Sequence, residues 1–208
     1  MLPLDSMLTF LTASVLLSLA PGPDNIFVLT QSALNGKLAG LLVTLGLCTG
    51  LLVHTSAVAF GVAAIVQTSA VAFATLKFLG AGYLLFLAWQ AFRGAGADLA
   101  KVGANKSGLG MLYRRGVIMN ITNPKVSIFF LAFLPQFAVP ANGPVIPQIM
   151  MLGGVFILVT LSVFGCVALA AGVLSDRFSK SDRVQRTLNR IAGVVFVCLA
   201  LKLATTDR

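Results

Sequence analysis

The sequence predicts an all-α membrane protein of six transmembrane helices, set out as two inverted three-helix repeats in which helices 1 and 4 are broken. Three observations predict it. Of 208 residues, 58% are apolar and 10% charged, and the mean hydropathy is +0.96, whereas soluble domains are roughly 45–50% apolar. Apolar runs recur at 7–34, 38–66, 70–92, 116–139, 146–174 and 187–204. A span needs about 20 such residues, so residues 1–208 make a single transmembrane domain with no room for a soluble one. Each half also opens on a helix interrupted by proline: Pro23 precedes Asp24 and, 101 residues later, Pro124 precedes Lys125. Three spans per half invert the second half, a plan in which broken helices meet near the bilayer midplane.

Span 1 lacks a basic leading segment, carries Asp5 and runs on through Pro21-Gly22-Pro23-Asp24, so it is read as a membrane helix and not as a secretory signal. A lone proline in such a helix makes a packing kink. Here two prolines delete two backbone donors and Gly22 adds freedom between them, which opens the helix. Opened backbone at membrane depth is tolerated only against protein or a water-filled cavity. Asp24 is the sole carboxylate in any predicted span, and a charge at the bilayer centre costs roughly 2.5–3.5 kcal/mol. Either it has a partner and a task, or it stabilises the positive end of a half-helix starting at Pro23. Asn25 follows it.

Span 2 carries the small-residue steps Gly36 to Gly40 and Gly46 to Gly50, which let helices approach closely, within the chain or in a homodimer. It also holds His54, the only histidine. A lone buried histidine is more often a hydrogen-bonded packing residue, but its ordinary pKa of about 6.5 also makes it a candidate for proton exchange. Lys77 in span 3 is expected to snorkel outward.

Span 4 contains Asn120-Ile121-Thr122-Asn123-Pro124-Lys125. Asn123 can cap a half-helix whose first residue is Pro124. Lys125 then stands where the helix dipole repels a cation, so something anionic is expected to hold it, Asp24 or a bound carboxylate. The run from Phe129 to Phe137 reads as lipid-facing or core. The sixth span is the shortest. Cys48, Cys166 and Cys198 fall one per apolar segment and read as small packing residues.

The net charge of +9 comes from 15 Lys and Arg against 6 Asp. Eleven of the cations, from Lys37 through Arg93, Lys101, Lys106, Arg114, Arg115, Arg177, Lys180, Arg183 and Arg186 to Arg190, fall on one side, and only Lys202 and Arg208 on the other. The positive-inside rule puts the first side in the cytoplasm and both termini outside. Cations scattered through short loops are not a nucleic-acid surface. One acid, one histidine and dispersed thiols do not make a metal site, and a single intramembrane Asp excludes an aspartyl dyad. No enzymatic cofactor is expected.

Pro21-Gly22-Pro23-Asp24, the segment Thr49-Gly50-Leu51-Leu52-Val53-His54, the Leu76-Lys77-Phe78-Leu79-Gly80 stretch, and Asn120-Ile121-Thr122-Asn123-Pro124-Lys125 followed by Phe129 to Phe137 occur in this order. In that order and spacing the chain resembles the lysine exporter family, the LysE/RhtB group of bacterial amino-acid exporters. The resemblance implies a multi-pass inner-membrane protein that exports amino acids or derivatives on the proton gradient. Its functional motifs fall on Pro21 through Asn25 and on Asn120 through Lys125, and the Ile121-Thr122 pair is a local departure from it. An amino acid would be clamped with its ammonium on Asp24 and its carboxylate on Lys125, and Asp24 or, as second choice, His54 would carry the coupling proton. One intramembrane acid favours neutral substrates of the homoserine, threonine or leucine type. The competing readings are an exporter of cations or other small metabolites and a passive amino-acid channel.

Overall fold

The computed structural model describes residues 2–62, 70–93, 108–178 and 182–205, and among these there is no strand. The first half comprises α1 (Leu4–Leu19), α2 (Pro23–Asn35), α3 (Lys37–Ala57, extended by a π turn at Val58–Val62) and α4 (Ala70–Phe92). The second comprises α5 (Leu109–Ile121), α6 (Pro124–Ile128, continued by a π turn at Phe129–Phe133 and a 3-10 turn at Leu134–Phe137), α7 (Val145–Phe178) and α8 (Asp182–Thr205). The loop 67–69, with Lys101, Lys106, Lys180 and Arg208, lies outside the described residues, as does the greater part of the 93–115 connection.

Three helices are long and apolar enough to cross a bilayer, at Lys37–Gly61, Ala74–Phe92 and Val145–Ala171. Two bent pairs raise the number to five, α1 with α2 at 56° and α5 with α6 at 49°. Both predicted helix interruptions are therefore present, each at its proline. The expected sixth span is the 24-residue helix α8, which does not join that number. Arg186, Asn189 and Arg190 occupy its first half and leave an uninterrupted apolar run only over 191–201.

The run from Phe129 to Phe137 is core. Phe129, Phe130, Phe133 and Phe137 are all buried and stack with Phe10 of α1 and Phe156 of α7 at centroid separations of 4.8–6.3 Å. Outside, α4 exposes Phe78, Leu79, Phe86, Trp89 and Phe92. Such a perimeter would be an aggregation liability in water and is the ordinary surface of a helix facing lipid. Cys48 is buried as expected, but Cys166 and Cys198 lie exposed.

Helix α3 packs most extensively on α5, and the reason is glycine. A Cβ placed on Gly46 would fall on the Tyr113 carbonyl oxygen and within 3.1 Å of Gly116 Cα, and one on Gly116 would lie 2.5 Å from the Val43 carbonyl oxygen. The two backbones touch, so the steps in span 2 serve packing within the chain at Gly46 and Gly50. Gly36 instead forms the corner between α2 and α3 at φ 85°, a conformation that side chains resist. Gly46→Val is expected to lower the thermal unfolding midpoint in detergent, at a cost of at least about 1–3 kcal/mol for overpacking against backbone that cannot yield. Retention of the wild-type midpoint would show that α3 and α5 can separate freely.

Candidate functional site

The site follows from an accounting of backbone donors. In a continuous α-helix each carbonyl accepts from the N–H four residues on. Leu17 and Leu19 would look to Pro21 and Pro23, which have none. The chain leaves the helix at Ala20 (ψ 124°), runs extended through Gly22, and restarts with Pro23 as the first residue of α2 and Asp24 in its first turn. Three carbonyls at the end of α1 are met from elsewhere. Lys125 Nζ donates to the oxygens of Leu17 at 3.0 Å and Ala20 at 2.8 Å, and Asn25 Nδ2 donates to that of Ser18 at 2.6 Å.

The second break obeys the same logic. The Asn120 carbonyl would look to Pro124; instead it accepts from Asn123 N at 3.1 Å and from His54 Nε2 at 3.1 Å. A carbonyl only accepts, so in this bond Nε2 carries the proton. Asn123 caps α6, its Oδ1 accepting from Lys125 N at 3.0 Å. Asn120 Nδ2 then reaches across to Asp24 Oδ2 at 3.3 Å. Lys125 of the second break thus completes the first, Asn120 links the two, and Gly22, Asp24, Asn25, Asn120, Asn123 and Lys125 line one cavity, whereas Pro21, Pro23, Pro124 and the partly buried His54 do not.

Of the two anions expected to hold Lys125, Asp24 makes no direct ion pair with it among the described residues, and the ammonium instead caps the last carbonyls of α1. The physical reason is the helix dipole. A lysine in the unfavourable first turn of α6 can place its charge at the negative C-terminal end of α1, where carbonyls free of donors converge. Gly22 lies over it; a Cβ there would sit 3.5 Å from Nζ, ordinary contact distance.

The cavity where the breaks cross measures about 20 Å³, room for one water-sized occupant. Leu17, Leu51, Val126, Phe156 and Phe164 form its apolar wall. Four buried polar atoms among the described residues have no hydrogen-bond partner: Ser18 Oγ, Asp24 Oδ1, Asn120 Oδ1 and Thr160 Oγ1. All four belong to residues lining this cavity. An unmet buried polar group costs about 1–3 kcal/mol, so their convergence marks a place built for an occupant.

Ser18 and Thr160 carried no signal in the sequence, because hydroxyls in apolar helices usually bond back to their own backbone. Gly50 was read as packing and has a further task. A Cβ on it would come within 2.6 Å of Asn120 Oδ1, so its bareness keeps the Asn120 amide in place. Gly50→Val is expected to cut transport at least about tenfold, one lost contact at the site, with a smaller effect on the unfolding midpoint than Gly46→Val. Unchanged transport would show that the position of Asn120 does not matter.

A multi-span helical protein that encloses unmet polar atoms at two crossed helix breaks has the design by which membrane transporters hold a solute. The chain belongs to the LysE type translocator family, matching it over residues 15–207, and is a membrane transporter and not an enzyme. It is 34% identical over 197 residues to the homoserine/homoserine lactone efflux protein of Salmonella typhimurium, covering 94% of each chain, and equally so to that of Salmonella typhi. It is also 32% identical to an uncharacterized membrane protein of Vibrio cholerae, covering 95% of this chain and 96% of the relative. No solved structure matches it.

Proposed function

We propose that this protein exports neutral amino acids or close derivatives, of the homoserine, threonine or leucine type, across the bacterial inner membrane in exchange for protons. The observation that carries the reading is the convergence of Asp24 Oδ1 and Asn120 Oδ1, both unmet acceptors, on a cavity at the crossing of the breaks. An α-ammonium supplies the donors and the charge that these oxygens lack. The substrate carboxylate would go to Lys125, displacing its ammonium from the Leu17 and Ala20 carbonyls, and its side chain would lie along Phe156 and Phe164. The cavity as described is too small for an amino acid, so the conformation is a closed one that must widen at the breaks to load.

The likeness to homoserine/homoserine lactone efflux proteins supports this substrate class. Among the described residues the cavity lining holds no ionisable group besides Asp24 and Lys125, which supports neutral side chains. Two inverted repeats are supported by the matching bends and by the packing of α3 on α7 and of α4 on α8, corresponding helices of the two halves, and termini on the outer side by the positive-inside distribution of the cations. The test is efflux from proteoliposomes loaded with homoserine, threonine or leucine under an imposed proton gradient, with unlabelled amino acids as competitors. Flux that ignores the gradient would instead support a passive channel.

A further inference from the structure

We propose that a second cavity, at the end of the bundle where both termini lie, is a weak site for a zwitterionic amino acid, held between Asp5 and Lys202 on its way out. The class of ligand follows from the cavity's own residues, and the direction of travel rests on the export reading above.

Size provides the first argument. The cavity lies where α1 begins and where α6 and α8 end, and it shares no lining residue with the cavity at the crossed breaks. It measures about 270 Å³ against about 20 Å³ there. That is close to the lower end of the roughly 300–1,000 Å³ of small-molecule sites. It admits a small solute as the structure stands, whereas the crossed breaks must first widen.

The second argument is the match to both ends of a zwitterion. Among the described residues Asp5 is the one acid on the wall and Lys202 the one base. The Thr9 hydroxyl donates to the Asp5 carbonyl oxygen at 2.8 Å, and Gln136 Nε2 donates to that of Ala132 at 3.3 Å. Both side-chain oxygens are thereby left as acceptors on the wall that carries the Asp5 carboxylate. An α-ammonium brings three N–H donors, one for each. Lys202 Nζ stands 5.4 Å from the centre of the Phe137 ring, on the same wall, and takes the carboxylate. Each charge suits the dipole of its own helix end, but that does not account for a cavity between them. Asp5 and Lys202 are exposed, so water screens their contacts. The site is therefore weak, in the millimolar range, as a station for release has to be.

The third argument is what separates the two cavities. Phe156 lines the first, and Phe133 and Phe137 line the second. Phe129 stands between, its ring centroid 5.3 Å from that of Phe156 and 4.8 Å from that of Phe133, which is in turn 5.0 Å from Phe137. One aromatic stack thus forms the partition. Phe129, Phe133 and Phe137 sit on the π turn and the 3-10 turn that end α6. Such irregular turns often mark functional sites and hinges, because a backbone outside the regular α-helical ladder can rotate its side chains at less cost. A solute that passes the stack goes from the crossed breaks directly into the second cavity.

The experiment follows alkylation by a water-soluble maleimide of full-length protein in detergent that carries Ser6→Cys, a position on the cavity wall, together with Cys48→Ala, Cys166→Ala and Cys198→Ala. Homoserine, threonine or leucine is added in turn. At least one is expected to slow alkylation saturably in the millimolar range, and its N-acetyl and amide derivatives, each missing one charge, should not. Asp5→Asn and Lys202→Gln should raise the half-protecting concentration about tenfold, the equivalent of one lost contact, and Lys202→Arg should restore it. In Asp24→Asn, whose efflux is lost, protection should remain. Its disappearance there would place the amino acid at the crossed breaks alone and overturn the proposal. No protection by any of the three, or equal protection by the derivatives, would also overturn it, and neither comparison needs a variant of Asp5 or Lys202 to fold. Protection by a short-chain phosphatidylethanolamine and by no amino acid would overturn it in favour of a lipid head group. Efflux from proteoliposomes separates the two readings. Efflux without protection removes the second site alone, and protection without efflux removes the export reading and leaves the site.

Discussion

Asp24→Asn is expected to reduce gradient-driven amino-acid efflux from proteoliposomes by about two orders of magnitude, the scale set by removing one member of a buried charged contact. The substitution preserves shape, and the new amide can still receive the Asn120 Nδ2 hydrogen bond through its oxygen, so the unfolding midpoint should move little. What it removes is, among the described residues, the only carboxylate on the cavity wall. In the proposed exchange an ammonium group would then lose its counter-charge and a proton its place on the path. Any residual flux should therefore also lose its dependence on pH between the two sides. Wild-type rate together with wild-type pH dependence would show that Asp24 neither binds substrate nor couples the proton.

Lys125→Met is expected to damage folding as well as transport. Its ammonium donates to two buried carbonyl oxygens, those of Leu17 and Ala20, and methionine has no donor. At about 1–3 kcal/mol for each unmet carbonyl, the loss should come to about 2–6 kcal/mol. Asn25→Ala strips one carbonyl, that of Ser18, and should cost about half as much, about 1–3 kcal/mol. The graded pair, read as denaturant midpoints in detergent, distinguishes carbonyl capping from charge pairing with Asp24. If Lys125→Met were as stable as wild type, the cap at the end of α1 would be dispensable and the lysine's place would be due to substrate alone.

Much of this was legible because its causes are local. Pro21, Gly22 and Pro23 interrupt a helix wherever they fall in one, and Asn123 before Pro124 caps the next. Both breaks stand at those residues, and Asp24 and Lys125 occupy the first turns of α2 and α6. The sixth span is less distinct than its apolar residues suggest, because Arg186, Asn189 and Arg190 sit within the same helix. The Phe129 to Phe137 run could have faced lipid or core, since aromatic residues suit both. Its burial against Phe10 and Phe156 depends on how α1 and α7 lie beside it.

Partners separated widely along the chain were not legible. Opposite charges after the two prolines invite a salt bridge, yet Lys125 caps α1, more than a hundred residues earlier, and Asp24 receives the amide of Asn120. Gly50 looked like a packing glycine until the Asn120 side chain was seen against it, and the free hydroxyls of Ser18 and Thr160 resemble every other serine and threonine in an apolar helix. The sequence by itself determined that this is a membrane protein with two helix breaks and a buried acid and base, because hydropathy and the missing N–H of proline act through the chain's own neighbours. Only the tertiary structure decided which groups answer the orphaned carbonyls and which polar atoms stay unanswered around a cavity. Those choices depend on the rotation of each helix about its axis, and that is settled by packing between helices and not by any local pattern of residues.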